Sequence, residues 1–199
     1  MSAAGKVVTG FSKPYVAKYA YTGGAFSYSS GQILARGVSV SASVDASDDN
    51  KFYADNIVAE TESGVFTSGE LTLTVDGLLE AAEKLIMGLP TADAAGFINW
   101  DDTQNIPDVG IGFVVRYMSD GVTTYAPIIF PRCAFKFTGI DAATQEENIS
   151  WQTRELTATV KRAEDTGRTW RKLGEEKSSE ALAENMIRTF FSISPALST

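Results

Sequence analysis

From Val38 to Ala46 the sequence alternates without a break. Val38, Val40, Ala42, Val44 and Ala46 occupy the even positions, with Ser39, Ser41, Ser43 and Asp45 between them. Successive side chains of a strand point to opposite faces, so this segment reads as a strand with one apolar face and one face of small polar groups. ELTLTV (Glu70 to Val75) and ELTATV (Glu155 to Val160) repeat the pattern, with Leu, Ala and Val on one side and Thr on the other. CAFKF alternates Cys133, Phe135 and Phe137. GIGFVVRYMSDGVTTYAPIIF reads as a hairpin around Asp120-Gly121, a pair that tolerates positive φ. KPYVAKYAY-TGG-AFSYS reads as another hairpin near the start.

Two helices interrupt the strands. In VDGLLEAAEKLIMGLP, Leu78, Leu79, Ala82, Leu85 and Ile86 recur at helical spacing, Asp76 is the expected N-cap, and Gly88 offers a C-cap before Pro90. In SSEALAENMIRTFF, Leu182, Met186 and Phe190 run beside Ala183, Ile187 and Phe191, after Ser178 or Ser179 as cap. The segment from Thr91 to Asp108 is expected to be a loop draped over the fold. The fold class expected is mostly β, an antiparallel β-sandwich or barrel with a flanking α-helix. Residues 1–175 form its domain, and residues 176–199 form a C-terminal helical extension or arm.

Chemistry is bounded by what the sequence lacks. With no histidine among 199 residues, Ser-His-Asp and Cys-His nucleophile arrangements and His-containing zinc sites are excluded. The single cysteine, Cys133, cannot form an intrachain disulfide and reads as a small strand hydrophobe. No apolar run approaches the roughly 20 residues that a membrane span needs, and the first residues lack the apolar core of a secretory signal. Residues 1–160 carry 19 acids against 10 bases, whereas residues 161–199 carry 6 against 7. An acidic domain is poorly suited to holding nucleic acid, because phosphate neutralisation needs clustered Lys and Arg.

The acidic stretch Val44 to Ser63 holds six carboxylates, including Asp45, Asp48, Asp49 and Asp55, against one lysine. An EF-hand loop counted from Asp45 would need Gly at its sixth position and Glu at its twelfth, where Asn50 and Asn56 stand. An irregular calcium site on Asp45, Asp48, Asp49 and Asn50 remains an alternative. Paired-carboxylate catalysis asks for acids converging on a pocket, whereas these lie on a serine-rich strand and its turn. The basic run KRAEDTGRTWRK sets Trp170 between Arg168 and Arg171, but Glu164 and Asp165 interrupt it, so it reads as strand–turn–strand.

The ordered landmarks KFYADNIVAETES, GELTLTVDGLLEAAEKLIMGL, GIGFVVRYMSDGVTTYAPIIFPRCAFKF and ENISWQTRELTATVKRAEDTGRTW cover roughly residues 8–175. In this order the chain resembles the major tail proteins of long-tailed bacteriophages. The resemblance implies a tail-tube β-sandwich, shared with type VI secretion tube subunits, and no enzymatic activity, catalytic residue or cofactor. It implies a virion protein, made in the host bacterial cytoplasm, whose six copies form a ring and whose rings stack into a hollow tube. The expected partners are further copies, the tape-measure protein, and the tail-tip and tail-terminator proteins, with DNA passing through unbound and no membrane involved. Ser39, Ser41, Ser43, Asp45, Asp48, Asp49 and Asp55 are then expected to face the lumen, with Val38, Val40 and Val44 behind them in the sandwich. Inter-subunit contacts are expected at Phe52, Tyr53, Arg168, Trp170, Arg171, Phe190 and Phe191. A non-enzymatic binding or adhesion sandwich, or a calcium-binding domain, is the alternative.

Overall fold

The computed structural model describes residues 5–54, 56–62, 64–137, 139 and 152–194. The chain is mostly β, with antiparallel pairing throughout the described sheet and two helices. The first two strands, β1 (Val7–Thr22) and β2 (Ala25–Ile33), form the expected hairpin, and Gly23 and Gly24 take positive φ at its turn. The acidic stretch runs through β3 (Gly37–Ala46), β4 (Asn50–Ala54) and β5 (Ile57–Glu62) before β6 (Phe66–Val75). Here β3 pairs with β6, while β4 pairs with β5 as a separate two-stranded ribbon beyond them. The second expected hairpin joins β7 (Val109–Ser119) to β8 (Val122–Phe135), with Asp120 and Gly121 both at positive φ. The strand β9 (Arg154–Lys161) and the short β10 (Lys172–Leu173) complete the set.

The strand order is β2-β1-β7-β8-β9-β6-β3, with β10 pairing with β8. The two edge strands, β2 and β3, are joined by only three residues, so Ile33 and Gly37 lie within about 15 Å of each other. The sheet must therefore fold back on itself. Leu34 and Ala35 are buried in that connection, and the Leu34 N–H donates to the Pro14 carbonyl at 2.8 Å. A Cβ on Gly37 would sit 2.1 Å from the Phe11 ring, so only glycine admits β1 this close to the start of β3. Inside the fold, Val16, Ile111, Phe113, Phe130, Leu71, Leu73, Leu156 and Val160 form the main core. Fully burying each large apolar side chain is worth roughly 1.5–3 kcal/mol. Cys133 belongs to this core, and burial pushes its thiol pKa well above the ordinary value.

Helix α1 (Glu80–Met87) adds Ala82, Ile86 and Met87 to the same core, and Gly88 caps it in the left-handed region. The expected cap does not form. Asp76 is committed elsewhere, because its carboxylate accepts from the Arg36 backbone N–H at 3.0 Å and from Arg36 Nε at 2.5 Å. Leu79 precedes the helix without a side-chain cap, and the helix starts one turn later than the leucine spacing suggests. The Thr91–Asp108 loop is mostly exposed, with Ile106 as its apolar anchor on the core.

Helix α2 (Glu180–Phe190) does begin at Ser179, whose side chain accepts from the Leu182 N–H at 3.4 Å. It lies on the outside of the sheet rather than projecting as an arm. Ala183, Ile187 and Phe191 pack with Tyr15, Ala17, Val114 and Ile129 in a second core. Glycines let the helix approach: a Cβ on Gly110 would come 2.5 Å from the Phe191 ring, and one on Gly112 would come 2.8 Å from Ile187.

A hydroxyl-rich sheet face as the candidate functional surface

Among the described residues, the outer face of the sheet is half covered and half bare. Over β2, β1, β7 and the first part of β8 lies α2. Over the rest, the strand register assembles a surface that no single segment contains. Ser39 is paired with Thr74, Ser41 with Thr72, Ser43 with Glu70 and Asp45 with Ser68. On the next strand Glu155 is paired with Thr74, Thr157 with Thr72 and Thr159 with Glu70. Alternation turns Leu71, Leu73, Leu156, Ala158 and Val160 inward, so the outward residues of β3, β6 and β9 form a contiguous field of small hydroxyls with carboxylates among them. Lys136 joins this field and pairs with Glu70.

Four of the expected lumen residues, Ser39, Ser41, Ser43 and Asp45, are thus brought together and exposed. Asp48 and Asp49 are exposed at the neck between the sheet and the β4–β5 ribbon. There the Gly64 N–H donates to Asp49 Oδ1 at 2.9 Å, and the Val65 N–H donates to the Ser47 hydroxyl at 3.0 Å. Asp45 Oδ2 accepts from the Ser68 hydroxyl at 3.1 Å. These acids organise a strand junction, and among the described residues no group of three or more His, Cys, Asp or Glu is placed to hold a metal ion. Asp55 lies outside the described residues. The threonines of β6 and β9, with Glu70, Glu155 and Lys136, extend this surface beyond the residues expected at the lumen. The repeated ELTLTV and ELTATV patterns were the signal that their threonines would lie side by side.

The expectation for the valines fails in part. Val40 packs on the core, but Val38 and Val44 are 54% and 43% exposed. The cause is position in the sheet. In the strand order of the described residues β3 has β6 on one side and no further strand on the other, so among these residues the sandwich does not extend behind its whole length.

A cluster of charges marks the boundary between the covered and bare halves. Asp108 accepts from Arg132 Nε at 2.6 Å and from Lys161 Nζ at 2.7 Å, while Arg132 also reaches Glu164 at 2.8 Å. Burial opposes ionisation of Asp108, but the hydrogen bonds from Lys161 and Arg132 prevail and hold its carboxyl below the usual range. Arg132 and Lys161 are therefore both paired with carboxylates at this boundary.

The other expected contact residues divide. Phe52 and Tyr53 fall on β4, paired with Glu60 and Val58. Trp170 stacks on Phe66 at 4.9 Å with an interplanar angle of 2°, Arg171 lies over the Trp170 ring, and Arg168 is exposed at positive φ. Phe190 is half-buried against Phe26 and Tyr28. Phe191 is 1% exposed, so its own sheet consumes it and it has no surface to offer a neighbour.

No described helix is long and apolar enough to cross a membrane. No protein-family model and no curated protein sequence matches this chain, so the surface itself carries the functional argument.

Proposed function

We propose that this chain is a structural subunit of the tail tube of a long-tailed bacteriophage. Six copies form a ring, and stacked rings form a hollow tube that encloses the tape-measure protein and conducts DNA during ejection. The observation that carries the reading is the bare hydroxyl field on β3, β6 and β9. A conduit for DNA needs a wall that does not hold it. Each Lys or Arg that neutralised a phosphate would release counterions and add affinity. Here eight Ser and Thr side chains are interspersed with Asp45, Glu70 and Glu155, and the nearby Lys136 is paired with Glu70.

The exposed edge of β3 supports the same reading. Isolated sheets guard their edges with Pro, Lys or short strands, because unpaired N–H and C=O groups recruit other chains. β3 is ten residues long, contains neither Pro nor Lys, and exposes Val38 and Val44. Such an edge fits a subunit whose neighbour completes the sheet. The tail-tip and tail-terminator proteins would close the two ends of the tube, and the assembled protein would reside in the virion.

Electron microscopy of the purified protein over a concentration series, with and without a tail-tip preparation as nucleus, tests this function. Rings or tubes with a central channel are expected. Strictly monomeric particles under every condition would refute it.

A further inference from the structure

The tube reading leaves unassigned two exposed aromatic side chains of one loop, Phe97 and Trp100, which are 69% and 46% exposed. Both sit in the Thr91–Asp108 loop. Asp93 Oδ1 accepts from the N–H groups of Ala95 and Phe97, each at 2.9 Å, and the Asp93 N–H donates to the Phe97 carbonyl at 2.8 Å. Asp101 Oδ1 accepts from the Thr103 N–H at 2.8 Å, and Gln104 Nε2 donates to the Met87 carbonyl at 2.6 Å. The loop is thus built before any partner arrives, and two rigid aromatic side chains lose little entropy on docking. From residue 90 to residue 107 it carries Asp93, Asp101 and Asp102 and no base.

The turn between β9 and β10 has the opposite character. Asp165 is used internally, accepting from the Thr169 N–H at 2.7 Å and from its hydroxyl at 2.6 Å. Arg168 and Arg171 are left exposed, Arg171 over the Trp170 ring, and Leu173 follows at 67% exposure. One chain therefore carries an acidic aromatic loop and a basic turn with apolar surface, and neither is covered by the other.

We propose that the Phe97–Trp100 loop docks onto the Arg168–Leu173 turn of a second copy of this chain. The contact is head-to-tail. A two-fold contact of the loop with itself would set acid against acid, whereas loop against turn sets acid against base and buries apolar surface from both sides. Repeated contacts of that kind generate rings or open stacks. The proposal rests on the tube reading and names one of its interfaces.

The test uses charge reversal in the full-length protein. Asp102 and Arg171 are both exposed, so Asp102→Lys and Arg171→Glu should leave the circular dichroism spectrum unchanged. Each should raise the concentration needed for assembly about tenfold or more, with the combined variant returning to within about threefold of wild type. Trp100→Ala, also folded, should weaken assembly about tenfold or more without rescue by Arg171→Glu. Wild-type rings or tubes combined with unaltered assembly of the folded single reversals, or with no rescue in the combined variant, would overturn the docking and leave the tube reading standing. A wild-type protein that stays monomeric under every condition, with or without a tail-tip preparation, would overturn both.

Discussion

Two halves of one sheet face are built from the same strand chemistry and end in opposite states. Across β1, β7 and the first part of β8, the outward positions are Tyr15, Ala17, Gly110, Gly112, Val114 and Ile129, and α2 seals them from water. Across β9, β6 and β3, the outward positions are hydroxyls and carboxylates, and no described helix covers them. The inward faces of both halves share one core. Stability therefore resides in the interior and under α2, while the bare half is free to be chosen for what it presents to its surroundings. Buried phenols show how firmly the covered half is fixed. Tyr15 donates to Glu184 at 2.5 Å and Tyr28 to the Pro131 carbonyl at 2.9 Å, and burial pushes both phenol pKa values well above the ordinary range.

The largest effect should follow from damage to the covered half. Phe191→Ala should cost about 3–5 kcal/mol, because it removes a buried ring and leaves a cavity beside Gly110 and Gly112. Urea denaturation would measure it. A loss below about 1 kcal/mol would mean that α2 is a loosely held arm after all.

A smaller effect is expected at the boundary between the halves. The folded protein lowers the Asp108 pKa below its reference value of 3.8, so the ionised carboxylate stabilises the fold fully above that value. The stabilisation is lost as pH falls through the lower folded-state pKa. Asp108→Asn should therefore be least stable relative to wild type near neutral pH, with the gap closing as pH falls below 3.8. Denaturation curves over the acid range check this, and a gap that widens on acidification would contradict the assignment.

The bare half should barely register in stability. Replacing Ser41, Ser43 and Asp45 with lysine should change unfolding free energy by no more than about 1 kcal/mol in total, since all three side chains are exposed. The functional consequence should be large. If the chain is the proposed tube subunit, virions carrying the triple variant should assemble normal tails yet eject DNA slowly, with the defect easing as salt screens the new attraction. Unchanged ejection at low salt would break the comparison at its functional end.

Much of the covered and bare pattern was legible from the period of two. Ser39, Ser41, Ser43, Thr72, Thr74, Thr157 and Thr159 all face outward, as alternation requires. Alternation gives a residue's face, however, and not what lies over that face. Val38 and Val44 read as core residues because nothing local shows that β3 ends the sheet. Phe191 read as a contact residue because its partners, Tyr28, Gly110 and Gly112, are more than 75 residues away in the chain. One local clue existed: glycines alternating with Ile111 and Phe113 mark a strand that something approaches closely. Asp76 shows the same limit for caps, since its spacing suited a helix while Arg36, forty residues earlier, took the carboxylate.

The central claim, that the hydroxyl field lines an enclosed channel, is tested most directly by thiol labelling. The native Cys133 is fully buried, so it provides a silent background for a single introduced cysteine. Ser41→Cys should react readily with a small maleimide and with a bulky polymer-linked maleimide in the monomer. In assembled tubes it should still react with the small reagent and be shielded from the bulky one, provided the tube ends are capped. Equal reaction with the bulky reagent before and after assembly would place this face on the outside and contradict the account.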